Sequence, residues 1–235
     1  MKILESLQDR VPETAELQRT VILAPETDAS RISAVLVRLP PGHEFPLHTH
    51  PRSEDCFFVL AGSGEAFGSD LRAPIAERTG VWIGAGVPHG LAAGPAGMLE
   101  IGFQSPPDPT AVPFPAHSAT VWPRGMLVEQ IPGDAESTRA PVWHPAFPRR
   151  PDWQHLDPYY CGLSASQEVR AEADSCELVV VVVRGAVELP ALGKHIGAVA
   201  ALQLGPGEAT PLRALAAATL LLAIRGWASR PESGQ

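Results

Sequence analysis

Glycine and proline interrupt this chain so often that long helices are excluded. Its 235 residues include 21 glycines and 25 prolines, and both residues weaken the interior of a helix. Between these breaks lie short apolar runs at residues 31–39, 56–60, 81–83 and 98–103. Short runs at such intervals, separated by glycine and proline, are typical of antiparallel barrels and sandwiches. We therefore expect an all-β fold.

The charge and the cysteine content exclude several classes of protein. The chain has 18 basic and 26 acidic residues and a formal net charge of −8, whereas nucleic-acid-binding proteins carry a basic patch. The most apolar stretch, residues 214–224, is about half of the roughly 20 residues that cross a bilayer. The N-terminal residues contain no apolar stretch of signal-peptide length. Cys56, Cys161 and Cys176 form no CxxC pair, which favours a reducing compartment. We expect a cytoplasmic protein that binds neither nucleic acid nor membranes.

Two glycine-containing motifs occur twice along the chain. Residues 60–66 (LAGSGEA) are similar to residues 183–189 (VRGAVEL), and residues 83–86 (IGAG) are similar to residues 204–207 (LGPG). The first two motifs are 123 residues apart, and the second two are 121 residues apart. A nearly constant offset indicates an internal duplication.

The duplication predicts two β domains joined by a connector. We expect an N-terminal segment at residues 1–30, a first barrel at 31–104 and a second barrel at 159–230. Prolines are dense across residues 105–158, and aromatic residues are interspersed with them. Because a disordered linker would lack those aromatic side chains, we expect an ordered, extended connector that packs on the barrels.

Histidines and acidic residues cluster in the first predicted barrel. His48 and His50 are two residues apart, so on a strand both side chains point to the same face. Glu54 and Asp55 follow them, and His89 stands farther along the chain. Imidazole and carboxylate groups suit a divalent transition metal such as Fe, Mn, Ni, Co or Zn, without choosing among them.

The spacing of these residues resembles that of the cupin superfamily. The first cupin motif is a glycine, five residues, His-x-His, three or four residues, a carboxylate, six residues and a second glycine. Every interval is met by Gly42, His48, His50, Asp55 and Gly62. The resemblance implies a bicupin, with two jelly-roll β-barrels in one chain. It also implies a site of three histidines and one carboxylate in the first barrel.

The second cupin motif is kept only in part. The pattern Pro-x-Gly-x-x-His, followed by an asparagine, is represented here by Gly86 and His89. Gly84 stands in place of the proline, and Ala93 stands in place of the asparagine. The resemblance nevertheless adds His89 as the third histidine of the site.

Two neighbouring residues compete for the carboxylate position. Asp55 satisfies both cupin intervals and would share the inward face of its strand with Phe57 and Val59. Glu54 satisfies only the first interval, but the family usually has glutamate there, and a bulge that presents Glu54 is the alternative. The candidate metal ligands are therefore His48, His50, His89 and either Asp55 or Glu54.

The second predicted barrel lacks these ligands. Its residues at the repeat offsets from the two first-motif histidines, Asp55 and His89 are Ala171, Ala173, Leu178 and Thr210. Such side chains do not hold a divalent ion. Glu54 does have an acidic counterpart, Glu177. We expect the second barrel to keep the fold without the site and either to pack against the first barrel or to shape an oligomer.

Several other residues of the first barrel are candidates for the pocket. Phe57, Val59 and Trp82 are expected to line it, although core packing would explain Trp82 equally well. Glu100 and Gln104 share one face of a strand, for which we expect a solvent-facing position, with the cavity as the alternative.

The resemblance implies a metal-dependent enzyme that acts on a small organic substrate. The apolar pocket candidates favour a hydrophobic substrate, and hence a dioxygenase. An isomerase, lyase or decarboxylase is one alternative, and a non-catalytic ligand-binding or sensor protein is another. A metal-independent enzyme would leave the histidine spacing unexplained. Because cupin barrels commonly pair, we expect a homodimer.

Overall fold

The chain folds into strands connected by loops and short 3-10 turns. The computed structural model describes residues 1–24, 31–68, 72–108, 112–113, 125–132, 141–148 and 155–227. In these ranges no helix is long and apolar enough to cross a bilayer. In chain order the strands are β1 (Lys2–Leu4), β2 (Gln18–Leu23), β3 (Ser33–Leu39), β4 (Glu44–Thr49), β5 (Glu54–Gly68), β6 (Arg72–Ala76), β7 (Thr79–Ile83), β8 (His89–Ser105), β9 (Val112–Pro113), β10 (Met126–Gln130), β11 (His144–Pro145), β12 (Leu156–Leu163), β13 (Glu168–Glu172), β14 (Glu177–Arg184), β15 (Ala186–Leu189), β16 (Lys194–Gly197), β17 (Ala200–Leu204), β18 (Ala209–Ala214) and β19 (Thr219–Gly226).

Strands β2 to β8 form the first barrel. Paired strands follow the order β10-β7-β5-β8-β3-β2, while β4 pairs with β8 and β9, and β6 pairs with β5. The longest strands, β5 and β8, contain 15 and 17 residues and pair along most of their length. Register shifts between residues 59 and 64 interrupt this pairing, so the first half of β5 pairs with β7 and the second half with β6. The same two strands thereby contribute to both layers of a jelly roll.

Glycines with a positive φ occupy equivalent positions in the two halves of the chain. Gly62 has a φ of +80°, and a Cβ there would lie 2.2 Å from the carbonyl oxygen of Gly97. Gly185, its repeat partner, has a φ of +81°. Gly86 and Gly207 form the second pair, with φ values of +74° and +80°. Because this backbone conformation favours glycine, both glycine pairs have the same local role in each repeat.

Strands β12 to β19 form the second barrel as two sheets. One sheet has the order β1-β17-β14-β19-β12-β11, and the other has the order β13-β18-β15-β16. Inside them lies an apolar cluster that includes Val169, Ala171, Leu178, Val180, Leu202 and Leu221. The all-β fold with two barrels, as predicted from the sequence, is confirmed.

The two barrels exchange edge strands. β1 precedes the first barrel in the chain but pairs with β17 of the second barrel. β10 precedes the second barrel but pairs with β7 of the first barrel. The first residues of β1 and β10, Lys2 and Met126, are 124 residues apart, close to the offset of the sequence repeats. The N-terminal segment and the connector therefore belong to the two repeats.

The predicted domain boundaries need correction for this reason. The segment 1–30 also contains β2, which pairs with β3 of the first barrel. The connector 105–158 contains the first three residues of β12 and also β11, which pairs with Tyr159 and Tyr160 of β12. Boundaries at residues 31 and 159 placed these strands outside the sheets to which they belong, because short strands with mixed polarity carry little periodicity.

Buried side chains of both barrels form a shared apolar cluster between them. The first barrel contributes one face of β5 and β8, and the second barrel contributes alternate residues of β14 and β19. Members of this interbarrel cluster include Cys56, Phe58, Trp82, Phe103, Val179, Val181, Leu222 and Ile224. Strands β5 and β8 are therefore covered on both faces.

Two buried glutamates connect the barrels reciprocally. Glu54 on β5 accepts hydrogen bonds from the backbone amides of residues 155 and 156, at 3.0 and 2.9 Å, at the start of β12. Glu177 on β14 accepts hydrogen bonds from the amides of residues 31 and 32, just before β3. The two glutamates are 3% and 4% exposed. Each barrel therefore fixes the start of a strand in the other.

Candidate metal centre

The backbone brings three histidines together on the inner face of the first barrel. His48 on β4 is the direct cross-strand partner of His89, the first residue of β8. His50 follows β4 by one residue, and its carbonyl oxygen accepts a hydrogen bond from the amide of Gly86 (2.8 Å). Gly86, with a φ of +74°, lies in the turn that leads into β8. Strand pairing and this turn therefore position all three imidazoles.

The three imidazoles and Asp55 converge on one space. One side-chain nitrogen from each of His48, His50 and His89 lies within 4.8 Å of the others. Asp55 Oδ2 lies 3.4 Å from Nε2 of His50 and 3.2 Å from Nε2 of His89. Asp55 Oδ1 is buried and has no hydrogen-bond partner. The three histidines thus form one cluster, and Asp55 lies beside two of them with one carboxylate oxygen that lacks a partner.

Backbone carbonyl groups orient two of the imidazoles. Nδ1 of His48 lies 2.9 Å from the carbonyl oxygen of Pro46, and Nδ1 of His89 lies 2.9 Å from that of Val87. A carbonyl oxygen only accepts hydrogen bonds, so each Nδ1 carries a proton, and Nε2 is the ring nitrogen that faces the site. A hydrogen-bond acceptor behind the ring is the usual partner of a metal-binding histidine.

The ionisation of the site suits a metal ion. Burial, followed by the neighbouring His89 charge, lowers the pKa of His48 to about 4. His48 is therefore neutral at neutral pH, which is the form that coordinates a metal. Three imidazoles and one carboxylate fit a divalent transition metal, and the unpartnered oxygen of Asp55 is a further acceptor for a cation. The residues present therefore fit the metal site that the sequence predicted.

Glu54 does not reach this site. Side chains alternate along β5, so Asp55 and Phe57 face the interior of the barrel, while Glu54 and Cys56 face the second barrel. The register shifts of β5 begin only after Val59, so no bulge reverses the alternation at Glu54. The carboxylate beside the histidines is that of Asp55, and the alternative of a bulge that presents Glu54 is wrong.

A cavity of about 120 Å³ lies beside the four groups. Its wall is mainly apolar, and its apolar residues include Val35, Val37, Phe45, Phe57, Leu91 and Phe103. Arg19, Glu100 and Gln104 are among its polar residues. The histidines and Asp55 therefore face a small chamber suited to a largely apolar molecule.

The three predicted pocket residues lie in three different environments. Phe57 lines the cavity, and Val59 packs in the apolar cluster inside the same barrel. The prediction that Trp82 lines the pocket is wrong, because Trp82 belongs to the interbarrel cluster. It is the cross-strand partner of Cys56, and paired residues share a face. Trp82 therefore faces away from Asp55.

The expectation that Glu100 faces solvent is wrong. Glu100 is only 6% exposed and lines the cavity. The opposite face of β8, with Leu99 and Phe103, packs against the second barrel. Both faces of β8 are therefore buried, and an apolar face did not mean that the other face was exposed to solvent. Arg19 was missed entirely, because its place in the cavity depends on the pairing of β2 with β3, which no local pattern indicated.

The second barrel carries apolar or neutral residues at the equivalent positions. Ala171 is the cross-strand partner of Thr210, just as the histidines on β4 and β8 are partners. Ala171, Ala173 and Leu178 pack in the interior of the second barrel. Within the part of the chain that the structure describes, the histidine cluster suited to a metal lies in the first barrel.

Comparison with known protein families agrees with this fold. Residues 35–102, which include all three histidines and Asp55, match the family model for the cupin domain. The first barrel is therefore a cupin domain. A second β-barrel follows this domain in the chain. No curated protein matches the sequence.

Solved structures with similar folds cover nearly the whole chain. A putative glyoxylate-induced protein from Pseudomonas aeruginosa has a TM-score of 0.70 and 11% identity, over 99% of this chain and 91% of that one. A bacterial pirin from Escherichia coli, solved in complex with nickel(II), has a TM-score of 0.67 and 14% identity, over 96% and 98%. Salicylate 1,2-dioxygenase from Pseudaminobacter salicylatoxidans has a TM-score of 0.64 and 13% identity, over 88% and 76%. Identities this low establish the fold alone.

Proposed function

We propose that the protein is a metal-dependent enzyme that acts on a small organic substrate in the first barrel, and that its reaction is a dioxygenation. The observation that carries this proposal is the convergence of His48, His50, His89 and Asp55 beside an apolar cavity. A bound transition metal would act as a Lewis acid toward a substrate oxygen, and iron would add redox chemistry with O₂.

The residues of the chain would hold and orient the reactants. The carbonyl groups of Pro46 and Val87 hold two imidazoles in the orientation that presents Nε2. Asp55 supplies negative charge that offsets the charge of the cation. Phe45 and Phe57 limit access of water and contact an apolar substrate.

Two observations support a dioxygenase among the possible reactions. The cavity wall is mainly apolar, which suits an aromatic or diketone substrate better than a sugar. One of the structures with a similar fold is a salicylate 1,2-dioxygenase. A metal-dependent isomerase, lyase or decarboxylase is the second candidate, because the buried carboxyl group of Glu100 lines the cavity and can exchange a proton with a substrate.

Metal analysis and oxygen uptake test this proposal. Protein purified without chelator or affinity metal is expected to contain one transition metal per chain, which His48→Ala loses and His195→Ala, an exposed histidine on β16, retains. Protein loaded with Fe(II) is then assayed for O₂ consumption with salicylate and acetylacetone. Uptake by the wild type and His195→Ala, but not by His48→Ala, is the expected result.

Other outcomes separate the candidate functions. Substrate consumption without O₂ uptake would replace the dioxygenase with the isomerase, lyase or decarboxylase. Saturable ligand binding without turnover would favour a ligand-binding or sensor protein. Absence of metal from both the purified and the reconstituted wild type would contradict the proposed mechanism.

A further inference from the structure

We infer that Glu100 and Arg19 bind an anionic oxygen group of the substrate, so that the first barrel acts on small organic anions with an apolar body. This inference rests on the proposed function, since it places the substrate in the same cavity. It assigns a binding role to Arg19 on β2, a strand that carries no candidate metal ligand, and to Glu100 on β8, the strand that begins with His89.

Strand pairing places Glu100 and Arg19 in one row on the inner face of the barrel. Arg19 on β2 is the direct partner of Val37 on β3. Val37 is the partner of Glu100 on β8, and Glu100 is the partner of Val59 on β5. Directly paired residues point to the same face of a sheet, and both charged residues line the cavity.

One oxygen of the Glu100 carboxyl group is unsatisfied in the folded chain. The residue is 6% exposed, and its buried Oε2 has no hydrogen-bond partner. Its two cross-strand neighbours in the row, Val37 and Val59, are apolar. An apolar side chain would therefore also pack at the position of Glu100. Buried polar atoms without a partner are rare in folded proteins. An atom of this kind, on a residue that lines a cavity, fits a group that a ligand completes.

The second barrel, which lacks the histidines, has a leucine at the position equivalent to Glu100. Leu221 is the partner of Val182, as Glu100 is the partner of Val59, and the offsets of 121 and 123 residues are those of the repeat. Leu221 is fully buried in the interior of the second barrel. The repeat that lacks the histidines thus also lacks the carboxyl group, which ties Glu100 to the site rather than to the barrel fold.

The charges around Glu100 define the ligand that it would bind. Burial raises the pKa of Glu100 to about 8, the charge of Asp55 on β5 adds to this effect, and Arg19 on β2 opposes it. At neutral pH Glu100 is therefore protonated and donates a hydrogen bond to an oxygen acceptor. Arg19, at the solvent-exposed side of the cavity, supplies a positive charge. A donor and a cation together favour a carboxylate or enolate oxygen, while the apolar wall contacts the rest of the molecule.

Calorimetric titration of the protein loaded with Zn(II), which prevents redox turnover, tests this inference. The probes are benzoate, an anion with an apolar ring, and benzyl alcohol, which has a similar body without the charge. Glu100→Leu reproduces the residue of the second barrel, and Glu100→Gln retains a hydrogen-bond donor. Glu54→Gln, a buried acid on the opposite face, is the matched control. Arg19→Met tests the cationic group separately.

Benzoate affinity is expected to fall about tenfold or more in Glu100→Leu, the loss of a hydrogen bond to a charged group. We expect it to fall by about threefold in Arg19→Met and to stay within about threefold of the wild type in Glu100→Gln and Glu54→Gln. Benzyl alcohol binding is expected to be similar in all variants. Equal benzoate affinity in Glu100→Leu and the wild type, or no saturable binding of benzoate to the wild type, would overturn the inference.

Two controls separate this test from folding and from the proposed function. The melting temperature of Glu100→Leu is expected to equal or exceed that of the wild type, since the change removes an unsatisfied polar group. Elemental analysis reports the zinc content of every variant. A wild type that binds no zinc or other transition metal would contradict the proposed function, whereas a fully loaded Glu100→Leu with unchanged benzoate affinity would contradict only the inference.

Discussion

At the level of single residues, Glu54 and Asp55 are adjacent in the chain but face different parts of the molecule. Asp55 points toward the three histidines, and one of its oxygens lacks a partner. Glu54 points toward the second barrel, where its carboxylate accepts hydrogen bonds from two backbone amides. The period of two along a strand is sufficient to separate a chemical role from a structural one.

Replacement of Asp55 by asparagine should weaken metal binding without unfolding the protein. The amide has no negative charge to offset the charge of the cation, so we expect metal affinity to fall by at least about tenfold. Competition with a chromogenic chelator measures this affinity. Glu54→Gln, measured in parallel, should keep wild-type affinity, and equal affinity in both variants would show that Asp55 is not a ligand.

The pH dependence of stability should report the buried Glu100. Its pKa is raised from 4.5 to about 8 in the folded chain, so folding takes up a proton between these values. The stabilising effect of the protonated form is complete below pH 4.5 and is lost as the pH rises toward 8, with a slope that approaches about 1.4 kcal/mol per pH unit. Urea unfolding of the metal-free protein is the measurement. Between pH 4.5 and 8, the free energy of unfolding of Glu100→Gln should increase relative to that of the wild type. Parallel plots of unfolding free energy against pH for the two proteins would contradict the raised pKa of Glu100.

At the level of strands, local signals predicted the histidine site and missed the exchange between barrels. The His-x-His pattern, the acidic residue and the turn glycines lie within short segments, and their resemblance to the cupin motifs implied the site. β1 consists of three residues and pairs with β17, which begins almost 200 residues later, and nothing within β1 indicates that partner. Trp82 and Glu100 were misplaced or left open because β5, β7 and β8 are buried on both faces, where polarity no longer distinguishes inside from outside.

The bend of β5 depends on Gly62 more than a glycine in an open turn would. Alanine at Gly62 would meet both a positive φ of +80° and a carbonyl oxygen 2.2 Å from its Cβ. Alanine at Gly42 would have a φ of +68° but no atom within 4 Å. We expect Gly42→Ala to cost about 1–2 kcal/mol and Gly62→Ala clearly more. Chemical denaturation measures both, and equal costs would show that the close contact relaxes freely.

At the level of the whole molecule, the two barrels depend on each other for their edges and for their packing. Each receives an edge strand from the segment that precedes the other, and both contribute to the interbarrel cluster. We therefore expect one cooperative unfolding transition for the chain rather than one for each barrel. The homodimer that the family resemblance implied stays a prediction, which light scattering after size-exclusion chromatography would test.

Removal of one reciprocal glutamate should destabilise the whole chain. In Glu177→Leu the amides of residues 31 and 32, one partly buried and one buried, lose their acceptor, so we expect a loss of about 1–3 kcal/mol. The loss should appear as a shift of the single unfolding transition, with the metal content unchanged. Wild-type stability of Glu177→Leu would show that water satisfies these amides, and a second transition would show that the barrels unfold independently.

The exchanged edge strands and the paired glutamate contacts have a consequence for the history of the chain. Each contact occurs twice and in opposite directions, which is the pattern of a two-fold symmetric association between identical subunits. A single-barrel ancestor with this surface would have formed such a pair before gene fusion joined its two copies. After fusion, one copy could carry the site alone, so mutations in the other copy could fill its interior with alanine, leucine and threonine. Selection would then have acted on both copies to keep the contact surface, but on only one copy to keep the chemistry.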